Sequence, residues 1–180
     1  MAEEEACFKN FRIAARGLVI HEDRLLFVSD EGQYWYLPGG RLEAGESLPS
    51  CVEREVYEET GFLIKAEQLC YVQERLDLKD KIHKIHFYFQ TKILEENKQI
   101  DWQDTGGTVQ FQRFFTLDEI QSMKNILPRF LASGDWCRFK STSMPNEGKA
   151  FTNGWMGIPA ATHTYQGAVK ARGFELVDEL

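Results

Sequence analysis

The sequence predicts an α/β fold in which a mixed β-sheet lies between helices, an α/β/α sandwich. Two observations predict it: stretches with strand character flank an acidic helix in the first half of the chain, and a capping sequence opens a second helix late in it. The 180 residues, 43% hydrophobic and 27% charged, have an ordinary soluble composition and length enough for one domain with a sound core. Residues 1–135 are read as that domain, and 136–180 as a C-terminal arm of unassigned role packed on it.

In chain order, Met1 to Glu5 is acidic, the opposite of a basic leader, and no apolar run approaches the length that spans a bilayer. Phe11 to His21 and Arg24 to Val28 alternate as two strands around a Glu22-Asp23 turn. Arg16, on the first strand, either holds a phosphate or faces solvent. Tyr34, Trp35 and Tyr36 form the densest aromatic cluster, available to stack on a base or to pack in the core. Leu37-Pro38-Gly39-Gly40 then reads as a turn whose glycines let backbone come close to the next helix or to a phosphate.

That helix runs from Leu48 to Thr60, with Ser47 as its N-cap, Pro49 tolerated in the first turn and Gly61 placed to end it. Beyond it, Leu63 to Leu76 and His83 to Leu94 read as longer strands. The second sets Ile85, Phe87 and Phe89 on one face and His86, Tyr88 and Gln90 on the other. His86 is read as a structural, hydrogen-bonded histidine. Lys79, Lys81, His83 and Lys84 form a basic run that is either solvated or in contact with phosphate. Residues 95–108 are polar and read as a loop. Thr116-Leu117-Asp118-Glu119 is a capping box for a helix reaching about Met123, and Asn125 to Leu131 reads as a turn around Pro128. In the arm, 141–157 is rich in Ser, Gly, Pro and Asn, while Trp136, Phe139, Phe151, Trp155, Ile158 and Tyr165 offer anchors for a structural wrap.

The chemistry concentrates on the first helix. At about 100° per residue, Glu55, Glu58 and Glu59 fall on one side of it. Like charges three and four residues apart repel, and Arg54 neutralises at most one or two of them. A divalent cation is the natural guest, and oxygen-only ligands point to Mg²⁺ or Mn²⁺ rather than Zn²⁺. Glu46, just before the helix, offers a further oxygen.

Other features narrow the function class. Cys7, Cys51, Cys70 and Cys137 lie far apart without a CxxC pair, which fits reduced thiols in a cytoplasm, with Cys51 a small buried hydrophobe. The net charge of −7 argues against DNA or duplex RNA as partner and leaves a small phosphorylated ligand.

Gly40, Glu46 and Arg54-Glu55-Val56-Tyr57-Glu58-Glu59-Thr60-Gly61-Phe62 match the Nudix box GX5EX7REUXEEXGU, with Phe62 at its last apolar position. Trp35 to Gly40 resembles the WxLPGG lead-in of the same family, and the likeness extends from Phe11 to Phe130. The resemblance implies the Nudix-type α/β/α sandwich and metal-dependent cleavage of a nucleoside diphosphate linked to another moiety, releasing a nucleoside monophosphate. It implies Arg54, Glu55 and Glu58 as the catalytic set, and Glu55, Glu58, Glu59 and Gly40 around Mg²⁺ or Mn²⁺. Arg54 is expected to orient Glu46 or a neighbouring glutamate, and Arg16, Trp35, Tyr36 and Arg41 to contact substrate. A late-loop carboxylate acts as base in some relatives, and Glu95, Glu96, Asp101 and Asp104 are available for it. Asp77 to Asp80 carries neither the proline of the ADP-ribose group nor the tyrosine of the dinucleoside polyphosphate group. A homodimer is a family habit, and the competing function is a nucleotide sensor that does not cleave.

Overall fold

The computed structural model describes residues 10–95, 102–104 and 107–139. Among the described residues nine strands form two sheets. The first has the order β5 (Gly39–Arg41), β1 (Asn10–Leu18), β7 (Ile82–Glu95), β6 (Leu63–Asp77), with β1 and β7 parallel and the other neighbours antiparallel. The second runs β2 (Ile20–His21), β3 (Arg24–Ser29), β4 (Trp35–Tyr36), β9 (Ile126–Leu127), and β8 (Phe111–Phe115) also pairs with β3. Mixed sheets covered by helices are the expected α/β class.

Strand residues alternate between two cores. Leu18, Leu25, Phe27 and Tyr88 face one, while Ala15, Val19, Leu26 and Phe89 face the other. A sheet buried on both faces needs near-continuous apolar strands, which is how Leu25 to Val28 reads. Helix α1 (Leu48–Thr60) covers the second core with Cys51, Val52 and Val56. The opposite face is covered by α2 (Leu117–Ser122) and two 3-10 turns, Arg129–Ser133 and Asp135–Phe139, through Ile120, Leu131 and Trp136.

Local sequence explains the boundaries. Glu22 and Asp23 take positive φ in the hairpin turn, Ser47 caps α1 by accepting from the Ser50 amide at 3.2 Å, and Gly61 ends it at φ 73°. The capping box of α2 is present in both directions. Two readings change. The first strand breaks at Val19, whose carbonyl accepts from the Leu26 amide across the hairpin at 2.9 Å. The glycine pair is not only a turn: Gly39–Arg41 pairs with Ala14 to Arg16, because the free edge of β1 satisfies its backbone groups. Glu96, Asp101 and the anchors Phe151, Trp155, Ile158 and Tyr165 lie outside the described residues.

Candidate active site

β5 and α1 bring the predicted residues together. Gly39 has φ 134°, and a Cβ there would lie 2.3 Å from the Ala15 carbonyl oxygen, so only glycine allows this strand to approach β1. A Cβ on Gly40 would lie 2.3 Å from Glu55 Oε2. The Glu55 carboxylate is thus packed directly against the glycine strand.

Arg54 occupies the centre of the acidic face. Its Nε and Nη2 donate to the two oxygens of Glu46 at 2.9 and 3.0 Å, and its Nη1 donates to Glu55 Oε1 at 2.9 Å and Glu58 Oε2 at 3.0 Å. It reaches two of the three helix carboxylates, within the one or two that the spacing suggested, and Glu46 besides, because the flat guanidinium presents donors on three sides. The Glu46 carboxyl is held below its ordinary range by these bonds, whereas Glu55 is pushed above it by burial.

Glu59 stands apart from this clamp. Its Oε2 accepts from the Gly39 amide at 2.8 Å, and burial lifts its carboxyl to about 8, the Gly39 bond and the Arg16 charge opposing the rise. Glu55 and Asp104 add repulsion in the same direction as burial. Arg16 sits against the glycine strand and the segment before it: its Nη1 donates to the carbonyls of Leu37 and Gly39, and its guanidinium lies 5.4 Å from the Tyr36 ring centre.

Among the described residues no three carboxylate, imidazole or thiolate groups converge into a ready-made cation site. The donor set nonetheless suits a hard cation. Every donor is oxygen, Glu55 Oε2 faces the space kept open by Gly40, and the desolvated Glu59 forms no ion pair among the described residues.

Beside this face a cavity of about 450 Å³ opens between the first sheet and the segment carrying β9. Arg16, Tyr36 and His86 line it, together with Arg75, Lys84 and Tyr88. Burial and the charges of Arg16, Lys84 and Arg75 hold His86 down to about 3, so the imidazole is neutral. Two expected substrate contacts lie elsewhere. Trp35 packs edge-to-face on Phe115 at 5.0 Å, because the pleat sends it to the core side while Tyr36 faces the cavity. Arg41 is exposed at the end of β5 and does not line the cavity; its carbonyl accepts from Arg54 Nη2 at 3.4 Å.

Sequence reasoning missed Arg75 and left Lys84 and His86 as alternatives or as structure. The signal was present: Gln73 and Arg75 on β6 stand opposite His86 and Lys84 on β7, so period-2 alternation puts all four on one face. Of the candidate late-loop bases, Asp104 is tied by the Gly107 and Val109 amides at 2.8 and 3.2 Å and is close enough for Glu59 to sense its charge. The Trp102 indole beside it donates to the Glu58 carbonyl at 3.1 Å and packs on Tyr57.

Comparison with known proteins agrees with this layout. A model of the NUDIX domain matches residues 10–133. An ADP-ribose pyrophosphatase from Methanocaldococcus jannaschii is 30% identical over 86 residues, covering 46% of this chain and 51% of that protein. The chain spans about half or less of the length of the curated relatives it matches. The crystal structure of a UDP-X diphosphatase superposes with a TM-score of 0.54 at 26% identity, over 66% of this chain and 55% of that one. A NUDIX hydrolase from Nitrosomonas europaea gives 0.58 at 21% identity, over 69% and 87%, a likeness of fold alone.

Proposed function

The chain belongs to the NUDIX domain family, and from that premise we propose that it hydrolyses the diphosphate linkage of a nucleoside diphosphate joined to another moiety. Water adds to one phosphorus, the bridging P–O bond breaks, and its electron pair leaves with the second phosphate. The products are a nucleoside monophosphate and a phosphorylated or phosphate partner. The observation that carries this reading is the buried Glu59, set beside Glu55 and Glu58 and held by the Gly39 amide without an ion pair among the described residues.

Glu55, Glu58, Glu59 and the Gly40 carbonyl would hold Mg²⁺ or Mn²⁺, which when bound supplies electrostatic relief to the anionic diphosphate. Arg54 fixes Glu46, Glu55 and Glu58 in register, so these carboxylates need little reorganisation. Glu58, half exposed with one oxygen on Arg54, holds the attacking water and takes its proton. Arg16 keeps Nε and Nη2 for a substrate phosphate while Nη1 anchors it to the backbone. The buried free thiols of Cys51 and Cys70 fit a cytoplasmic setting.

One observation favours the competing sensor: Arg54 already engages three carboxylates, so no preformed cation site stands among the described residues. A panel of nucleoside triphosphates, ADP-ribose, dinucleoside polyphosphates and nucleotide sugars, incubated with Mg²⁺ or Mn²⁺, separates the two. The hydrolase releases monophosphate from at least one member. Binding without release across the whole panel identifies the sensor.

A further inference from the structure

Between β6, β7 and the segment after α2, the cavity beside the acidic face is lined by five cationic side chains. Arg16, Arg75 and Lys84 rise from the sheet, and Lys124 and Arg129 come from the opposite wall. Among the described residues no aspartate or glutamate lines it, although the chain carries a net charge of −7.

The sheet register makes this concentration costly. Arg75 stands directly opposite Lys84 on the antiparallel neighbour, and Arg12 is registered against Lys84 on the parallel one, so three cations share a row across β1, β7 and β6. Like charges placed directly opposite destabilise a sheet. Among the described residues only Asp77 offsets the row, its Oδ2 lying 3.8 Å from Lys84 Nζ, at the outer limit of an ion pair. Among the described residues neither Arg75 nor Lys124 forms an ion pair. Next to the row, His86 is kept neutral by burial and by the charges of Arg16, Lys84 and Arg75, and its ring approaches the Tyr88 hydroxyl, which donates to Gln73 at 2.7 Å. A strongly anionic guest offsets the repulsion and gains charge-assisted hydrogen bonds from Arg75 and Lys84.

We propose that this cavity takes a further phosphate of the substrate, one carried beyond the diphosphate that is cleaved, and so selects nucleotide derivatives bearing that extra charge. Arg16 belongs both to the cavity and to the Gly39 backbone against which Glu59 rests, which joins this pocket to the acidic face. The selectivity rests on the proposed diphosphate hydrolysis, while the anion site itself does not. Tyr34 and Tyr36 at the rim leave room for the uncharged part of the same moiety.

The test uses the full chain in two arms. In the first, kcat/KM is compared within substrate pairs that differ only in phosphate: NADPH against NADH and coenzyme A against dephospho-coenzyme A for a sugar phosphate, and diadenosine tetraphosphate against diadenosine diphosphate for a longer polyphosphate. At least one pair favours the more phosphorylated member by about ten-fold or more. That preference shrinks as ionic strength is raised from about 0.01 to about 0.15 M, and the ratio falls towards one in Arg75→Gln/Lys84→Gln. Turnover with no discrimination in any pair, or discrimination that survives in the variant, overturns the proposal.

In the second arm, tripolyphosphate is titrated into metal-free protein while the His86 imidazole is followed by NMR. Saturable binding raises the His86 pKa, and Arg75→Gln/Lys84→Gln weakens it by about ten-fold or more. Absence of binding, or binding unchanged in the variant, overturns the anion site even where no panel substrate is hydrolysed. Lys124→Gln, on the other wall, replaces the double variant if that one fails to fold.

Discussion

At the scale of single residues, Glu59 makes the sharpest demand. The unfolded chain loses this proton near the ordinary 4.5, whereas the folded chain without metal keeps it to about 8. Across that window the folded state binds more protons, so the stability of the chelator-treated protein falls as pH rises and levels off above the window. His86 acts in the opposite sense: with its folded value near 3 against an ordinary 6.5, it costs stability as pH falls below 6.5. Between about 6.5 and 8 Glu59 therefore acts without that opposition, and Glu59→Gln flattens the slope of Tm against pH in EDTA there. A slope that survives the substitution contradicts the desolvated carboxylate. Gly40→Ala places a methyl against Glu55 Oε2 and is expected to lower kcat by about ten-fold or more while leaving most of the fold stability, read by steady-state kinetics beside thermal melts. Glu55, Glu58 and Glu59 were legible because their spacing alone gathers them on one helix side. The contact of Arg54 with Glu46 was expected from the family resemblance, but its simultaneous hold on Glu55 and Glu58 was not legible, since it depends on side-chain conformations that spacing does not fix.

At the scale of elements, α1 is fixed at both ends by sequence-visible signals, and its boundaries agree with the expected ones residue for residue. Ser47→Ala removes the cap on the Ser50 amide and is expected to cost about 1 kcal/mol, and Gly61→Ala forces a side chain into left-handed backbone at about 1–2 kcal/mol. Both are measured by urea unfolding, and a cost near zero for both contradicts a helix held by its termini. The long hairpin was equally visible as two strands, but the use of its faces was not. Alternation set His86 on one face with Tyr88 and Gln90, while Lys84 was read only as part of a basic run. Only the register with β6 and β1 shows that Arg75 and Arg12 join them and that β9 closes the space above. Short strands such as β4 and β9 gave no signal because two residues carry no period.

At the scale of the whole molecule, the core under α2 and the two 3-10 turns extends the packed body past the family match at residue 133. Trp136 is fully buried and its indole donates to the Leu131 carbonyl at 3.0 Å, so Trp136→Ala is expected to destabilise the fold by about 3–5 kcal/mol, measured by chemical denaturation. The sequence placed Trp136 among the anchors of an arm; burial makes it part of the core on which α2 and both 3-10 turns rest. Among the described residues no helix is long and apolar enough to cross a membrane. Fold class was legible because it follows from apolar periodicity and caps, while the cavity depends on loops and short strands that periodicity cannot place. The most direct test is release of nucleoside monophosphate from the panel, followed by ³¹P NMR as Mg²⁺ is raised, for the wild-type chain and for Glu59→Gln. Release that requires Mg²⁺ and falls by at least about a hundred-fold in the variant is the predicted result; release that is indifferent to both the ion and Glu59 would contradict it.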